Sequence, residues 1–319
     1  MTELVRLAVR DWDYLTPLLL GDIETDPVQL KVDRVNALID DFEQDEHYDA
    51  CEMSFSRYIQ ARARGEDAYI ALPNFLMRGF RHRCVITLKN SRLENFKDLK
   101  DRKIGVTGWQ DSGNTWTRAA FAEAGIGVED AYWYAGRLTA AHPIEDRIGR
   151  FGREGRIMPM PDEKPMMEAL EDGELDAVCT PFMPVGFFQK DSVFRHLLKD
   201  FRIAEIAYYR AVGYIPGMHV LAFKKDFLKQ KADIAQHVSD LLDQTRQVWL
   251  EKRRKYAETT PWIIDDLGFS GRELEPDWDE SGFEHNEKMT SDFIAEMRSQ
   301  NIIEQDLSVR DAFPDITRL

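Results

Sequence analysis

The chain has 319 residues, too many for one compact core and comfortable for two. It is 43% hydrophobic and 31% charged, as a folded protein should be, and 42 basic against 57 acidic residues leave a net charge of −15. That balance excludes non-specific nucleic-acid binding, and an acidic small ligand would need a local cluster of arginines. No apolar run of about 18 residues is present, so no membrane-spanning helix is expected. Residues 1–11 lack the apolar centre and small-residue cleavage site of a signal peptide, so the expected compartment is cytoplasmic. Cys51, Cys84 and Cys179 are odd in number and lie in apolar runs at no metal-like spacing, which predicts buried, reduced thiols.

Residues 4–9 alternate as a first strand. Asp11-Trp12-Asp13-Tyr14 follow as a polar and aromatic loop at its C-terminal end, where ligands of open sheets usually sit. Residues 28–32 read as a second strand, and 35–42 suit a short amphipathic helix. The stretch 49–58 is the centre of the chain. Residues 49–53 form a strand that runs into Ser54 and Ser56, either of which can N-cap a helix stopped by Gly65. A strand ending at a helix N-terminus is a ready anion site. Glu52 beside it must be paired with an arginine or kept for proton chemistry, because an anion repels it. Residues 69–75 form a strand that ends in a proline-containing loop. Arg78-Gly79-Phe80-Arg81-His82-Arg83 is a basic and aromatic knot, opening into a strand at 84–88.

A fresh α/β unit starts near residue 91. It has a strand at 104–107, a second strand-to-helix corner at 108–115, a helix to 124 and a strand at 131–134. A polar, glycine-rich connection at 136–155 precedes a helix from 165 to 170 and a strand at 175–181. Asp49-Ala50-Cys51 is echoed by Asp176-Ala177-Val178-Cys179, which points to two similar lobes. Residues 194–201 read as a short helix, 204–209 lead back, and 217–223 form an apolar strand. Helices at 226–257 and 283–299, with acidic loops between, are expected to cover the first domain. The expected architecture is therefore α/β, with two Rossmann-like lobes joined by two crossing segments and followed by a helical tail. Lobe I would be 1–90 plus 206–319, lobe II 91–205, with a ligand cleft between them. Tail helices could also pair two subunits into a homo-oligomer; amphipathic helices look the same either way.

His82 lies between two arginines, which should lower its pKa and favour neutral imidazole. His219 opens an apolar strand, where the competing reading is a core histidine with one satisfied hydrogen bond. Arg78 and Arg81, with Arg57, Arg118 and Arg210, could converge on an anion through fork-like contacts, or stand as surface arginines of an acidic protein. There is no G-x-x-x-x-G-K-[ST], no G-x-G-x-x-G after the first strand, no H-E-x-x-H and no G-x-S-x-G. Nucleotide hydrolysis, dinucleotide redox chemistry, zinc proteolysis and α/β-hydrolase chemistry lose support accordingly. His82, His219 and Glu52 show no metal-ligand spacing.

Taken together these stretches resemble the 4,5-dihydroxyphthalate decarboxylase family, which is similar in fold to the type 2 periplasmic solute-binding proteins. The matching pieces are Glu52-Met53-Ser54-Phe55-Ser56 with Arg62-Ala63-Arg64-Gly65, Phe80-Arg81-His82, and Gln110 with Trp116 and Arg118. Tyr208-Tyr209-Arg210, Pro216-Gly217-Met218-His219-Val220 and Gly282-Phe283-Glu284-His285-Asn286 complete the set, in order over nearly the whole chain. Two departures bear on the substrate: Gly108-Trp109 stands where a Pro-Glu/Asp-Tyr-like approach to Gln110 is expected, and 147–156 is rich in arginine and glycine. The resemblance implies decarboxylation of a small, anionic, hydroxylated aromatic acid in the cleft. The phenol itself supplies the electron push, so no cofactor is expected, and a divalent metal is left open. The implied roles are Arg81, with Arg78 or Arg118, on the carboxylates, and His82 and His219 as acid and base. Glu52 would orient one of them, and Ser54, Ser56 and Gln110 would supply neutral hydrogen bonds. The alternatives are a cytosolic ligand binder of the transporter substrate-binding type, and an enzyme acting on a pyrimidine or pyridine carboxylate.

Overall fold

The computed structural model describes residues 2–319. Eleven strands follow in chain order among them. They are β1 (Glu3–Arg10), β2 (Val28–Val35), β3 (Ala50–Ser54), β4 (Tyr69–Arg78), β5 (Val85–Leu88) and β6 (Lys103–Val106), then β7 (Tyr132–Ala135), β8 (Ile157–Pro159), β9 (Ala177–Cys179), β10 (Phe194–His196) and β11 (Gly217–Lys224). The helices are α1 (Thr16–Leu19), α2 (Phe55–Ala63), α3 (Ser112–Glu123), α4 (Met166–Glu171) and α5 (Phe201–Val212), then α6 (Lys225–Lys255), α7 (Ile263–Glu273), α8 (Phe283–Ser299) and α9 (Val309–Ala312). Two compact units result. Unit 1 holds the chain up to Arg78 with Gly217–Asp292 and Gln305–Leu319, and unit 2 holds Gly79–Pro216 with Phe293–Glu304.

Unit 1 is built on a sheet of order β2-β1-β3-β11-β4. The first three strands run parallel, and β11 runs antiparallel between β3 and β4. Val5, Leu7 and Val9 of β1 enter one core with Leu221 and Phe223 of β11 and with Leu228, Val238 and Leu242 of α6. The long helix therefore covers this sheet, as its apolar stripe requires. Unit 2 is built on a sheet of order β10-β5-β9-β6-β7-β8. Its main core gathers Val85, Ile104, Val106, Trp109, Phe121 and Trp133. The α/β class and the helical C-terminal region are as expected. No helix among the described residues is long and apolar enough to cross a membrane.

Several local expectations are corrected. Residues 35–42 form no helix: Val35 stays in β2 opposite Arg10, and the aspartates take over the backbone that follows. Asp45 Oδ1 accepts the N–H groups of His47 and Tyr48. Within 35–42 the stretch left after β2 is too short to hold itself as a helix. Pro73 lies inside β4 rather than in a loop after it, which an edge strand tolerates because the missing N–H faces no partner. Residues 194–196 are a strand, not a helix, because they pair with Ile86, Thr87 and Leu88 of β5. The helix begins instead at Phe201 and runs through the segment read as leading back. Helix α7 occupies what the sequence left as acidic loop.

Gly217 opens β11 opposite Arg78. A Cβ there would overlap the Phe75 ring, lying 2.7 Å from Cε1. Gly217→Ala should therefore lower stability by about 1–3 kcal/mol through overpacking. Gly271→Ala, in helix α7 with nothing within 4 Å, should not lower it. Urea unfolding of both variants checks the pair.

Candidate active site

In unit 1 the strand period decides the arrangement. Residues two apart on a strand share a face, so Glu52 and Ser54 of β3 project together. The antiparallel register sets His219 opposite Ser54 and Leu221 opposite Glu52. His219 thus stands diagonal to Glu52 on that face. Its Nδ1 lies 2.5 Å from Glu52 Oε1. Glu52 Oε2 accepts the backbone N–H of Arg10 at 2.8 Å and the indole N–H of Trp12 at 2.9 Å. Glu52 is 1% exposed, whereas the His219 side chain keeps 15% of its surface open. The Trp12 ring lies 6.5 Å from the imidazole, tilted by 53°.

Both partners of Oε2 can only donate, so that oxygen is an acceptor. An ionised Glu52 accepts at Oε1 as well, and the imidazole that meets it there presents Nδ1–H, with Nε2 on the far side of the ring. The same logic orients the imidazole of a catalytic triad. No arginine pairs with Glu52 among the described residues, so the arginine-paired alternative is overturned. A protonatable ring takes that place.

The remaining candidates of unit 1 are placed differently. Ser54 is the half-buried N-cap of α2 and makes no side-chain capping bond. Ser56 is buried in the first turn of α2, with Gln60 Nε2 3.4 Å from its hydroxyl. Arg78 ends β4 and donates to Asn286 Oδ1 at 2.5 Å and to the Glu280 carbonyl at 3.2 Å. Burial, with a smaller push from Arg246, lowers its pKa to about 9. This guanidinium fastens β4 to the start of α8.

In unit 2 Arg81 and His82 enter a short turn after Phe80. His82 is 7% exposed, stacked on Phe96 at 5.8 Å and set edge-on to Tyr208 at 5.4 Å. Its Nδ1 is buried without a hydrogen-bond partner. Burial pushes its pKa down to about 4. The expected neutral imidazole is present, but burial rather than the flanking arginines makes it so. Arg81 is 4% exposed, and its Nη1 has the Cys84 sulfur at 3.7 Å. Gln110 is half-buried in the turn before α3. Arg118, on α3, donates from Nε to Gln300 Oε1 and from Nη2 to the Trp109 carbonyl, each at 2.7 Å, and lies 4.0 Å over the Trp109 ring. Burial lowers its pKa to about 9.

The structure thus joins Glu52, Ser54 and His219 on one sheet face and adds Trp12, which sequence reasoning had not placed in the site. The signal was available: Trp12 is in the loop at the C-terminal end of β1. Among the described residues one group of three could hold a metal ion, the exposed Asp277, Glu280 and His285, whose ligand atoms lie within 4.8 Å of one another. Among the described residues Glu52 and His219 have no third such residue beside them.

No family model matches the chain. It is similar to a 4,5-dihydroxyphthalate decarboxylase of Pseudomonas putida, 30% identical over 212 residues, which cover 65% of this chain and 82% of that one. A 4,5-dihydroxyphthalate decarboxylase of Comamonas testosteroni is 27% identical over 314 residues, 96% of this chain and 95% of that one. Among solved structures it resembles the alkanesulfonate-binding protein SsuA of Xanthomonas axonopodis pv. citri bound to MOPS, with a TM-score of 0.57 and 12% identity over 97% of both chains. It also resembles the desulfurization enzyme DSZB, with a TM-score of 0.54 and 13% identity over 99% of this chain and 98% of that one. At such identity these likenesses establish the fold, which is that of the type 2 periplasmic binding proteins.

His82 carries a pH signature. Its folded pKa of about 4 lies below the ordinary value of 6.5, so the unfolded chain takes up the proton first as pH falls. Stability from this residue is complete above the unfolded value and is lost as pH falls toward the folded one. Between pH 7 and pH 5 the loss should be about 2 kcal/mol. In His82→Phe that component should vanish, which urea unfolding at the two pH values measures.

Proposed function

The chain belongs to the 4,5-dihydroxyphthalate decarboxylase family, and we propose that it removes one carboxyl group from a hydroxylated aromatic dicarboxylate by acid/base chemistry at His219 and Glu52. The substrate is 4,5-dihydroxyphthalate or a close analogue, and the product of the former is protocatechuate. The observation that carries the reading is the buried Glu52 carboxylate, fixed by Arg10 N–H and Trp12 and bonded to a half-open histidine.

The reaction needs three things of the protein. The phenol para to the departing carboxylate must lose its proton, so that electron density reaches the ring carbon. That carbon must gain a proton. The carbon–carbon bond then breaks, its electron pair returns through the ring to regenerate the phenolate, which takes its proton back, and CO2 leaves. One proton is consumed for each CO2 released. His219 is suited to give the proton, because Glu52 stabilises the imidazolium before transfer and fixes the ring's orientation. His82, kept neutral by burial in unit 2, is not suited to give that proton near pH 7.

The likeness to SsuA favours one rival, a ligand binder without chemistry. An anion binder uses arginine, hydroxyls and backbone N–H groups; a carboxylate–imidazole pair serves it no purpose.

His219→Ala should lower CO2 release from 4,5-dihydroxyphthalate by at least about 100-fold while the ligand still binds. Equal turnover by variant and wild type would exclude the role. Glu52→Gln, which keeps the shape but not the charge, should lower kcat more than it raises KM. The same assay run with EDTA should give unchanged turnover, since the acid/base route calls on no divalent ion.

A further inference from the structure

Arg81 is held against the first turn of α3. Arg81 is 4% exposed, and its Nε is buried without a hydrogen-bond partner. Among the described residues no carboxylate pairs with it, and its one side-chain contact by hydrogen bonding is the Cys84 sulfur at 3.7 Å. A guanidinium cannot shed its proton in a protein, so an uncompensated one is costly to bury.

Its neighbour makes the charge imbalance worse. A Cβ built on Gly113 would lie 3.2 Å from Arg81 Cζ, 3.3 Å from Nε and 3.4 Å from Nη2. The guanidinium therefore rests on the first turn of α3, the positive end of a 12-residue helix. Asp111, the N-cap, makes no side-chain bond to that turn and approaches Thr107 Oγ1 at 3.4 Å instead; its charge faces the helix end from a distance but is not paired with Arg81. Glycine within a helix costs stability relative to alanine, so its presence at 113 has another reason. That reason is the close approach of Arg81. Two positive features lie side by side, and among the described residues no carboxylate is paired with the guanidinium.

We infer that Arg81 and the first turn of α3 form an oxyanion subsite in unit 2, and that its ligand is a carboxylate. The planar fork of the guanidinium matches the two oxygens of a carboxylate, and the helix N–H groups point at the same charge. The choice of a carboxylate rests on the decarboxylase reading; the subsite itself rests on unit 2 alone.

Calorimetric titration of the full chain with phthalate, which lacks the phenol needed for turnover, tests it. Wild type should bind, and Arg81→Gln should bind at least about 30-fold more weakly, the loss expected when one partner of a buried charge pair is removed. Without ligand, Arg81→Gln should melt no lower than wild type, because it removes an unpaired buried charge; a structural arginine would give the opposite. Gly113→Ala keeps the helix and pushes the guanidinium aside, so it should weaken phthalate several-fold, and it serves if Arg81→Gln does not fold. Unchanged phthalate affinity in Arg81→Gln, or no phthalate binding by wild type, overturns the subsite. Sodium sulfate binding more tightly than phthalate and displacing it overturns the carboxylate assignment. Loss of binding in the Arg81 and Gly113 variants beside a wild type that releases no CO2 would retain the subsite and sink the decarboxylase reading.

Discussion

One buried carboxylate sets the terms for unit 1. Glu52 sits in the middle of its sheet at 1% exposure, where an uncompensated charge would cost several kcal/mol. Its compensation comes from three separate places: the backbone at the end of β1, the indole just beyond it, and His219 on β11. Each constrains the fold. The parallel pairing of β1 with β3 brings Arg10 within reach, and the loop after β1 must turn so that Trp12 points back. Strand β11 must lie next to β3 in one register only, because a slip by one residue would turn His219 to the opposite face. The fold and the candidate chemistry are thus fixed by the same bonds. Glu52 acquires its imidazole only when the chain returns after Pro216 and lays β11 between β3 and β4.

The two sheets share a smaller device that the sequence displays openly. Asp49 precedes β3, and its Oδ2 accepts the N–H of Arg6 on the neighbouring parallel strand at 2.8 Å. Asp176 precedes β9, and its Oδ2 accepts the N–H of Lys103 at 2.9 Å. In both cases the alanine that follows pairs with the residue one beyond the bonded N–H, Leu7 in one sheet and Ile104 in the other. The repeated Asp-Ala therefore has a physical meaning: a side chain fills the hydrogen-bonding place just before the ladder begins. A dipeptide that is weak as a motif becomes informative once each copy is seen to do the same work against an equivalent strand.

Legibility followed the range of the forces involved. The α/β class, most strands and the long helices were readable because alternation and helical periodicity are local. The helix expected at 35–42 does not form, its first residue being taken into β2 opposite Arg10, and the helix expected at 194–201 gave way to pairing with β5. That Glu52 and Ser54 share a face was also readable, since it needs only the strand period. That His219 is the residue opposite was not, because β11 lies more than 160 positions away and its register is a tertiary fact. Trp12 lay between these cases. Its loop was recognisable as a place for ligands, but its bond to Glu52 depends on how β1 and β3 align.

The arginines show why residue type alone is a poor guide to a binding role. Arg78, Arg81 and Arg118 are all basic residues near aromatic ones, and sequence treats them alike. Arg78 is engaged by Asn286 and the Glu280 carbonyl, so it serves the junction of β4 with α8. Arg118 is engaged by Gln300, the Trp109 carbonyl and the Trp109 ring, so it serves the packing of α3. Neutral acceptors of this kind engage part of a guanidinium, Arg118 Nη1 being buried without one, and leave its charge in place; burial is then felt as a lowered pKa. Arg81 lacks even those acceptors, having only a thiol, a weak partner, and a helix N-terminus, an unfavourable one. A chain with fifteen surplus negative charges has carboxylates to offer and brings none to Arg81. Holding a buried cation against the first turn of a helix, with no carboxylate paired to it, makes physical sense where the missing charge arrives with a ligand.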